Sequence, residues 1–543
     1  MPAPQDIALR APGGPELAGL LWPAAAGAPG VVIVHGLGSR KENHADFAEL
    51  VAGAGMAALA IDLRGHGAPA AAGHSRPASS GPPGARSAMS WGAGKTREDT
   101  RHLVPSARHM MPLDQVLPPS ATLTPEGHLS IGGCDLVELA DEHGTPLVVY
   151  DEGALRAAAR RYREAFAAVD ADVEVVYASK AYFGLAMLRL AQEEGLSVDV
   201  ASGGELYAAL RAGFPPGRIY LHGNNKGDDE LAEAIDAGVG TIVVDNLDEI
   251  PRIDAAAAAR GRSQRVLVRV TPGVKPSTHS YIATGQLDSK FGLSIEGGSA
   301  LAAVDAVLAA GSLELAGLHC HIGSQLFDLA GYGAAAGIVA EFAASLNGGA
   351  GVEVMNMGGG LGIAYTRADR PAAVEDYAEA VVEAVRGEWG RVGLPQPRIL
   401  VEPGRSIVGR AGVTLYRVGA TKEIPGVRTY ASVDGGMSDL LRPMLYGAVY
   451  EPLLANRADA EPTETLRLVG KHCESGDVLV AEASLPPVGP GDLVCLPATG
   501  AYGVSMASNY NGVTRPAVAF VDGGRARIVT RRETYADLVA RDV

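Results

Sequence analysis

The chain is 543 residues long, 47% apolar and 20% charged, enough for roughly two to four domains with sizeable cores. Its formal charge of −16, from 46 basic and 62 acidic residues without a basic stripe, argues against nucleic acid as a partner. Four widely separated cysteines, Cys134, Cys320, Cys473 and Cys495, form no CxxC pair, which argues against a disulfide framework and against a bound metal. With neither a leader-like N-terminus nor an uncharged apolar run of about 18 residues, a soluble, cytoplasmic protein without a membrane span is expected.

Residues 1–67 contain a strand in "GVVIVHGLGSRKE", a helical stretch from Ala45 to Gly53 and a second strand in "MAALAIDLRGHG". With "HGLGS" at His35–Ser39 and "DLRGHG" at Asp62–Gly67, this fragment resembles the start of an α/β-hydrolase. The nucleophile elbow GxSxG that the resemblance requires is missing. Gly73-His74-Ser75-Arg76-Pro77 and Gly503-Val504-Ser505-Met506-Ala507 both lack the closing glycine. A truncated fragment is therefore expected, not a working hydrolase. Residues 68–105, rich in Ala, Gly, Ser and Pro, read as a disordered linker.

Residues 106–150 form a lead-in, and their "LVVYD" run at Leu147–Asp151 is expected to join a later β domain. Residues 151–410 alternate β-rich runs with helical stretches such as "GELYAALRAG" and "DDELAEAIDAG". Strands are expected near 173–179, 197–201, 219–222, 241–245, 265–270, 314–321, 352–357 and 398–402. Eight such strands match an α/β (β/α)8 barrel, with a doubly wound open sheet as the competing layout. Residues 411–543 lose the helices and carry short strands, which predicts a C-terminal antiparallel β domain.

A barrel presents its chemistry at the carboxyl ends of its strands. The first strand, "EVVYA", ends at Lys180, a charge where a buried run stops. The second ends at Asp199–Ser202, the fifth carries Arg269, and the sixth ends in "HCHIGSQ" with His319, His321 and Ser324. The seventh ends in "NMGGGLG" and the eighth in "VEPGRS". Gly358-Gly359-Gly360 and Gly404-Arg405 then fall where such barrels bind phosphate, because glycine lets backbone N–H groups approach an anion closely. A triple glycine by itself is equally a tight turn. A phosphate site, a lone lysine and a nearby carboxylate point together to pyridoxal phosphate, held covalently by the lysine. Burial is expected to lower the Lys180 amine's pKa and favour its free form. An ion-paired surface lysine is the ordinary alternative.

"YASKAYFG", "VDVASGGEL", "HCHIGSQ", "NMGGGLG", "EPGRSIVG", "RPMLYGA", "CESGD" and "AYGVSMASNYNG" occur in this order. From about Leu113 to the C-terminus the chain resembles the diaminopimelate decarboxylase family, fold-type III pyridoxal 5'-phosphate enzymes with an alanine-racemase-like barrel. The resemblance implies decarboxylation of meso-2,6-diaminopimelate to L-lysine and CO2, the last step of lysine biosynthesis. It also implies a homodimer whose active sites are shared between subunits. It makes Lys180 the covalent anchor and Glu402 the partner of the ring nitrogen. His321 would stack on the ring, and Ser324, Gly359, Gly360, Gly404 and Arg405 would surround the phosphate. Arg405, Arg442 and Tyr446 would meet substrate carboxylate, which suits an arginine fork. Cys473 would return a proton and Glu474 would bind the distal ammonium, both from the neighbouring subunit. Tyr502 would contact cofactor and substrate, and a loop at His279–Leu293 would act as a lid. The competing substrates are ornithine, arginine and carboxynorspermidine, which enzymes of the same fold decarboxylate.

Overall fold

The computed structural model describes four strands in the first 61 residues, and then residues 114–274, 289–346 and 351–543. The chain divides into two compact units, Met1–Pro105 and Ser106–Val543. In the first unit, Gln5–Arg10 and Ala57–Ile61 each pair antiparallel with Glu16–Trp22. Gly30–Val34 lies parallel to Ala57–Ile61, so both expected strands form. The expected Ala45–Gly53 helix, the "HGLGS" and "DLRGHG" motifs and the 68–105 linker lie outside the described residues, as does His279–Leu293 up to residue 288.

In the second unit eight parallel strands close on themselves. We number them β1 (Glu174–Ala178), β2 (Ser197–Val200), β3 (Ile219–Leu221), β4 (Thr241–Val244), β5 (Gln264–Thr271), β6 (Leu313–His319), β7 (Val354–Asn356) and β8 (Arg398–Val401). β8 pairs with β1 and β4 with β5, so the sheet is a barrel rather than an open doubly wound sheet. All eight strands fall where the sequence placed them. A helix fills each interval between successive strands, including Gly203–Ala212 and Asp228–Ala237. Ser202 caps the first of these by accepting from Glu205 N, and Gly213 ends it at φ 93°.

Strand alternation explains why the chemistry gathers at one end. Val176, Tyr220 and Leu400 form one small buried cluster, and Val243, Leu267 and Ala316 form another. Two residues beyond four of these positions stand Arg269, still within β5, and His222, Asp245 and Glu402, each just past its strand, while the chain leads from Val176 through Ala178 at the end of β1 to Lys180. Successive side chains point to opposite faces of a strand, so a step of two keeps the same side. The barrel interior thus changes from apolar packing to ionisable groups toward the strands' carboxyl ends.

Leu147–Asp151 lies between Gly412–Ile424, antiparallel to it, and Ala517–Asp522, parallel to it. The lead-in therefore supplies a strand of the C-terminal sheet, as "LVVYD" suggested. That sheet is mainly antiparallel, but the parallel contacts of Ala517–Asp522 and of Arg428–Val433 with Glu464–Val469 make it mixed. Both parallel partners are joined by long connections, whereas two-residue hairpins permit only antiparallel neighbours.

Candidate active site

The barrel mouth opens into a cavity of about 670 Å³ whose wall includes Lys180, His222, Arg269, His321, Ser324, Tyr365, Arg405, Arg442, Tyr446 and Tyr502. Below it lies a smaller recess of about 70 Å³, lined by Lys180, His321, Ser324, Gly359, Gly360, Glu402, Gly404, Arg405 and Tyr502. Eleven of the thirteen site residues read from the sequence therefore line one continuous region. Cys473 and Glu474 line neither space and are exposed.

Lys180 occupies a one-turn helix, Ser179–Ala181, directly after β1. Its side chain is solvent-accessible through the cavity yet surrounded by protein. Burial pushes its ammonium pKa down, but Asp199, Tyr502 and Glu402 together outweigh burial, so the net direction is upward. This corrects the expectation that desolvation alone would free the amine. Asp199, in turn, is pushed up to about 6 by burial, against the pull of Lys180. The Tyr502 loop is fastened to the lysine turn by Tyr502 N–H donating to Ala181 O at 2.9 Å. Tyr502 has φ 59°, a left-handed conformation that a non-glycine residue adopts only when its surroundings impose it.

Glu402 follows β8 and is 7% exposed. His222 Nε2 lies 2.9 Å from Oε1, His319 Nε2 lies 3.1 Å from Oε2, and Asn356 donates to Oε1 at 2.7 Å. Burial opposes the charged form, but the two imidazoles overcome it and hold the carboxyl well below its ordinary range. His319 is pushed down to about 4 by its own burial, despite Glu402. Burial also takes His321 well below its ordinary value, with Lys180 and Arg269 adding to the effect. A neutral imidazole therefore stands beside Lys180.

The glycines of the recess cannot be replaced without moving backbone. A Cβ on Gly359 would sit 2.1 Å from Glu402 O, one on Gly360 2.5 Å from Gly323 O, and one on Gly404 2.9 Å from the Ala178 Cβ. Arg405 donates to Ser324 Oγ at 3.0 Å, and its buried Nε–H has no partner among the described residues. A glycine-walled recess with an unsatisfied buried guanidinium donor suits a phosphate, and Glu402 and Lys180 stand at its rim. These residues fit pyridoxal phosphate.

Several groups at the site receive no role from the sequence, although Arg269 is placed on the fifth strand. His222 could have been found by the strand-end rule, since "LHG" ends β3. Arg269 is buried against Asp245 at 3.4 Å and stacks on the Phe291 ring at 4.6 Å. Phe291 belongs to the tail of the expected lid, whose described part begins at Ser289. Tyr365 stands well past the β7 glycines and is brought in by the loop's path, which no short pattern reveals.

Residues 152–409 match the family model described as "Pyridoxal-dependent decarboxylase, pyridoxal binding domain". The diaminopimelate decarboxylase of Bacillus subtilis (strain 168) is 49% identical over 421 residues, covering 77% of this chain and 95% of that protein. That of Mycobacterium tuberculosis (strain ATCC 25618 / H37Rv) is 47% identical over 448 residues, covering 80% and 99%. Among solved structures, diaminopimelate decarboxylase from M. jannaschii in complex with L-lysine superposes with a TM-score of 0.74 at 35% identity, covering 78% of this chain and 98% of that one. The closed eight-strand barrel, the Lys180–Glu402 centre and these likenesses agree: the chain belongs to the diaminopimelate decarboxylase family of pyridoxal-phosphate-dependent decarboxylases.

Proposed function

We propose that this protein decarboxylates meso-2,6-diaminopimelate to L-lysine and CO2 in the cytoplasm, as a homodimer with shared active sites. The observation that carries the reading is the placement of Arg405 and Arg442, 8% and 6% exposed, in the same cavity wall as Lys180. Two guanidinium groups suit a substrate with two carboxylates better than ornithine or arginine, which have one.

Bound pyridoxal phosphate supplies an electron sink for the pair left behind when CO2 departs. Lys180 anchors it covalently, and the ionised Glu402 accepts the ring nitrogen's proton in a hydrogen bond, keeping that nitrogen protonated. His321, neutral, packs on the ring without adding charge. Ser324, Gly359, Gly360 and Gly404 surround the phosphate, and Arg405, which lines both the recess and the cavity, stands between the phosphate and the substrate. Arg442 and Tyr446 hold a substrate carboxylate, and Tyr502, which lines both spaces, would contact cofactor and substrate. Cys473 and Glu474 of the second subunit deliver the proton and bind the distal ammonium. Their exposure outside the cavity supports that arrangement, as do the exposed apolar side chains of Phe327 and Val449 on the cavity wall.

Subunit mixing tests it. Lys180→Ala and Cys473→Ala proteins should each be nearly inactive on meso-diaminopimelate. Refolded together, they should regain activity through dimers that carry one intact site. A mixture as inactive as its parts, from proteins that are each folded and dimeric, contradicts the shared site.

A further inference from the structure

Arg405 and Arg442 are buried cations whose hydrogen bonds, among the described residues, go to hydroxyls rather than carboxylates. Arg405 donates to Tyr365 Oη and Ser324 Oγ, and Arg442 donates to Tyr450 Oη. The two tyrosines connect the arginines. The Arg442 guanidinium lies over the Tyr365 ring at 4.4 Å, and the Tyr365 and Tyr450 rings meet edge-on at 5.4 Å and 86°. Tyr365 is thus touched by both cations, through its oxygen by one and through its face by the other. Tyr365 and Tyr450 are 6% and 1% exposed. The Tyr365 backbone is fixed as well, since Asp369 Oδ2 accepts from Tyr365 N and Thr366 N, each at 2.9 Å.

Like charges brought together in a buried wall repel, and phenol oxygens and ring faces offset only part of that cost. A carboxylate would offset more of it, but it would also neutralise the receptor before any ligand arrived. Tyrosines restrain both guanidinium groups, each taking one N–H from its arginine, and leave the full positive charge and the other donors for an anion.

We propose that Tyr365 and Tyr450 are positioning residues that space Arg405 and Arg442 as a receptor for two anions, and so set selectivity for an amino acid with two carboxylates over one with a single carboxylate. The proposal rests on the decarboxylase reading for its substrate, but it makes a binding claim that can be measured apart from turnover. Tyr365→Phe removes the oxygen that takes the Arg405 bond and keeps the ring under Arg442. Tyr450→Phe removes the oxygen that takes the Arg442 bond.

The probes are heptanedioate, which has two carboxylates and no amine, and heptanoate, which has one. They are titrated calorimetrically into the full-length, cofactor-loaded protein. The wild type should bind heptanedioate at least about tenfold more tightly than heptanoate, and each Phe variant should cut that ratio about fivefold. KM for meso-diaminopimelate should rise by a similar factor, with kcat changed by less than about twofold. A purely structural role would lower the melting midpoint and leave the ratio alone. Ratios and KM within about twofold of wild type in both variants overturn the proposal. Loss of the bound-cofactor absorbance in Tyr365→Phe also overturns it, by assigning Tyr365 to phosphate binding. A wild type that prefers heptanedioate but releases no lysine would uphold the two-anion receptor and refute the decarboxylase reading. Lysine release without any preference for heptanedioate would do the reverse.

Discussion

Replacing Lys226 with methionine isolates one buried ion pair beneath the site. Lys226 Nζ donates to Gly223 O at 2.8 Å, to Val243 O at 2.7 Å and to Glu249 Oε2 at 2.9 Å. The side chains of Lys226 and Glu249 are 2% and 1% exposed. Glu249 also accepts from the backbone N–H groups of Asp245 and Asn246, so the pair ties the loop after β3, which carries His222, to the loop after β4. Burial pulls the Lys226 pKa down against the pull of Glu249. Methionine fills a similar volume but strands the Glu249 carboxylate in the interior, a loss of about 3–5 kcal/mol. That is a large part of the roughly 5–15 kcal/mol that holds a typical protein folded. Urea unfolding of the cofactor-free full-length protein measures the loss. Adding Glu249→Gln should restore most of it, because the amide oxygen still accepts from Asp245 N–H and no charge is left unpaired. A Lys226→Met loss below about 1 kcal/mol, or a double variant no more stable than the single, refutes the reasoning.

Three further predictions concern the centre itself. Glu402→Gln should keep the bound-cofactor absorbance but lower kcat about 100- to 1000-fold, and near-normal turnover would show that the carboxylate's charge is not used. Because folded His319 titrates near 4 rather than 6.5, the unfolded chain binds more protons between those values, so stability drops as pH falls through that window. The depressed Glu402 adds a loss of the same sign below its ordinary value of 4.5. Because buried Asp199, pushed up to about 6, titrates with the opposite sign in the same window, the His319 part is read as a difference: between pH 7 and pH 5 the cofactor-free wild type should lose about 2 kcal/mol more than His319→Gln, and equal pH dependence of the two contradicts this account of His319. Gly359→Ala would press a methyl group to 2.1 Å from Glu402 O. Cofactor affinity, read by absorbance titration, should fall at least about tenfold, and unchanged affinity would show that the recess does not hold the phosphate.

Residues near a strand end were readable because strand period and barrel topology together dictate where they point. Lys180 and Glu402 fall two residues beyond apolar positions of their strands, and His321 falls two residues beyond His319 at the end of β6, so local sequence is enough to place them. Gly359 and Gly404 were readable for a related reason, since β7 and β8 are neighbours and their following loops must meet. Tyr365 and Tyr450 were not readable. Each reaches the cavity through long connections whose course depends on packing against both the barrel and the β domain, and tyrosine is common in both settings. The Lys180 charge state was misjudged because desolvation can be read from a strand pattern, whereas the opposing carboxylates of Asp199 and Glu402 arrive from other strands.

The most direct test of the decarboxylase account supplies the purified, pyridoxal-phosphate-loaded protein with meso-diaminopimelate and follows lysine and CO2 together. The account predicts one lysine and one CO2 for each diaminopimelate consumed, with ornithine and arginine left essentially untouched. No lysine from diaminopimelate, with CO2 released from ornithine or arginine instead, would contradict it.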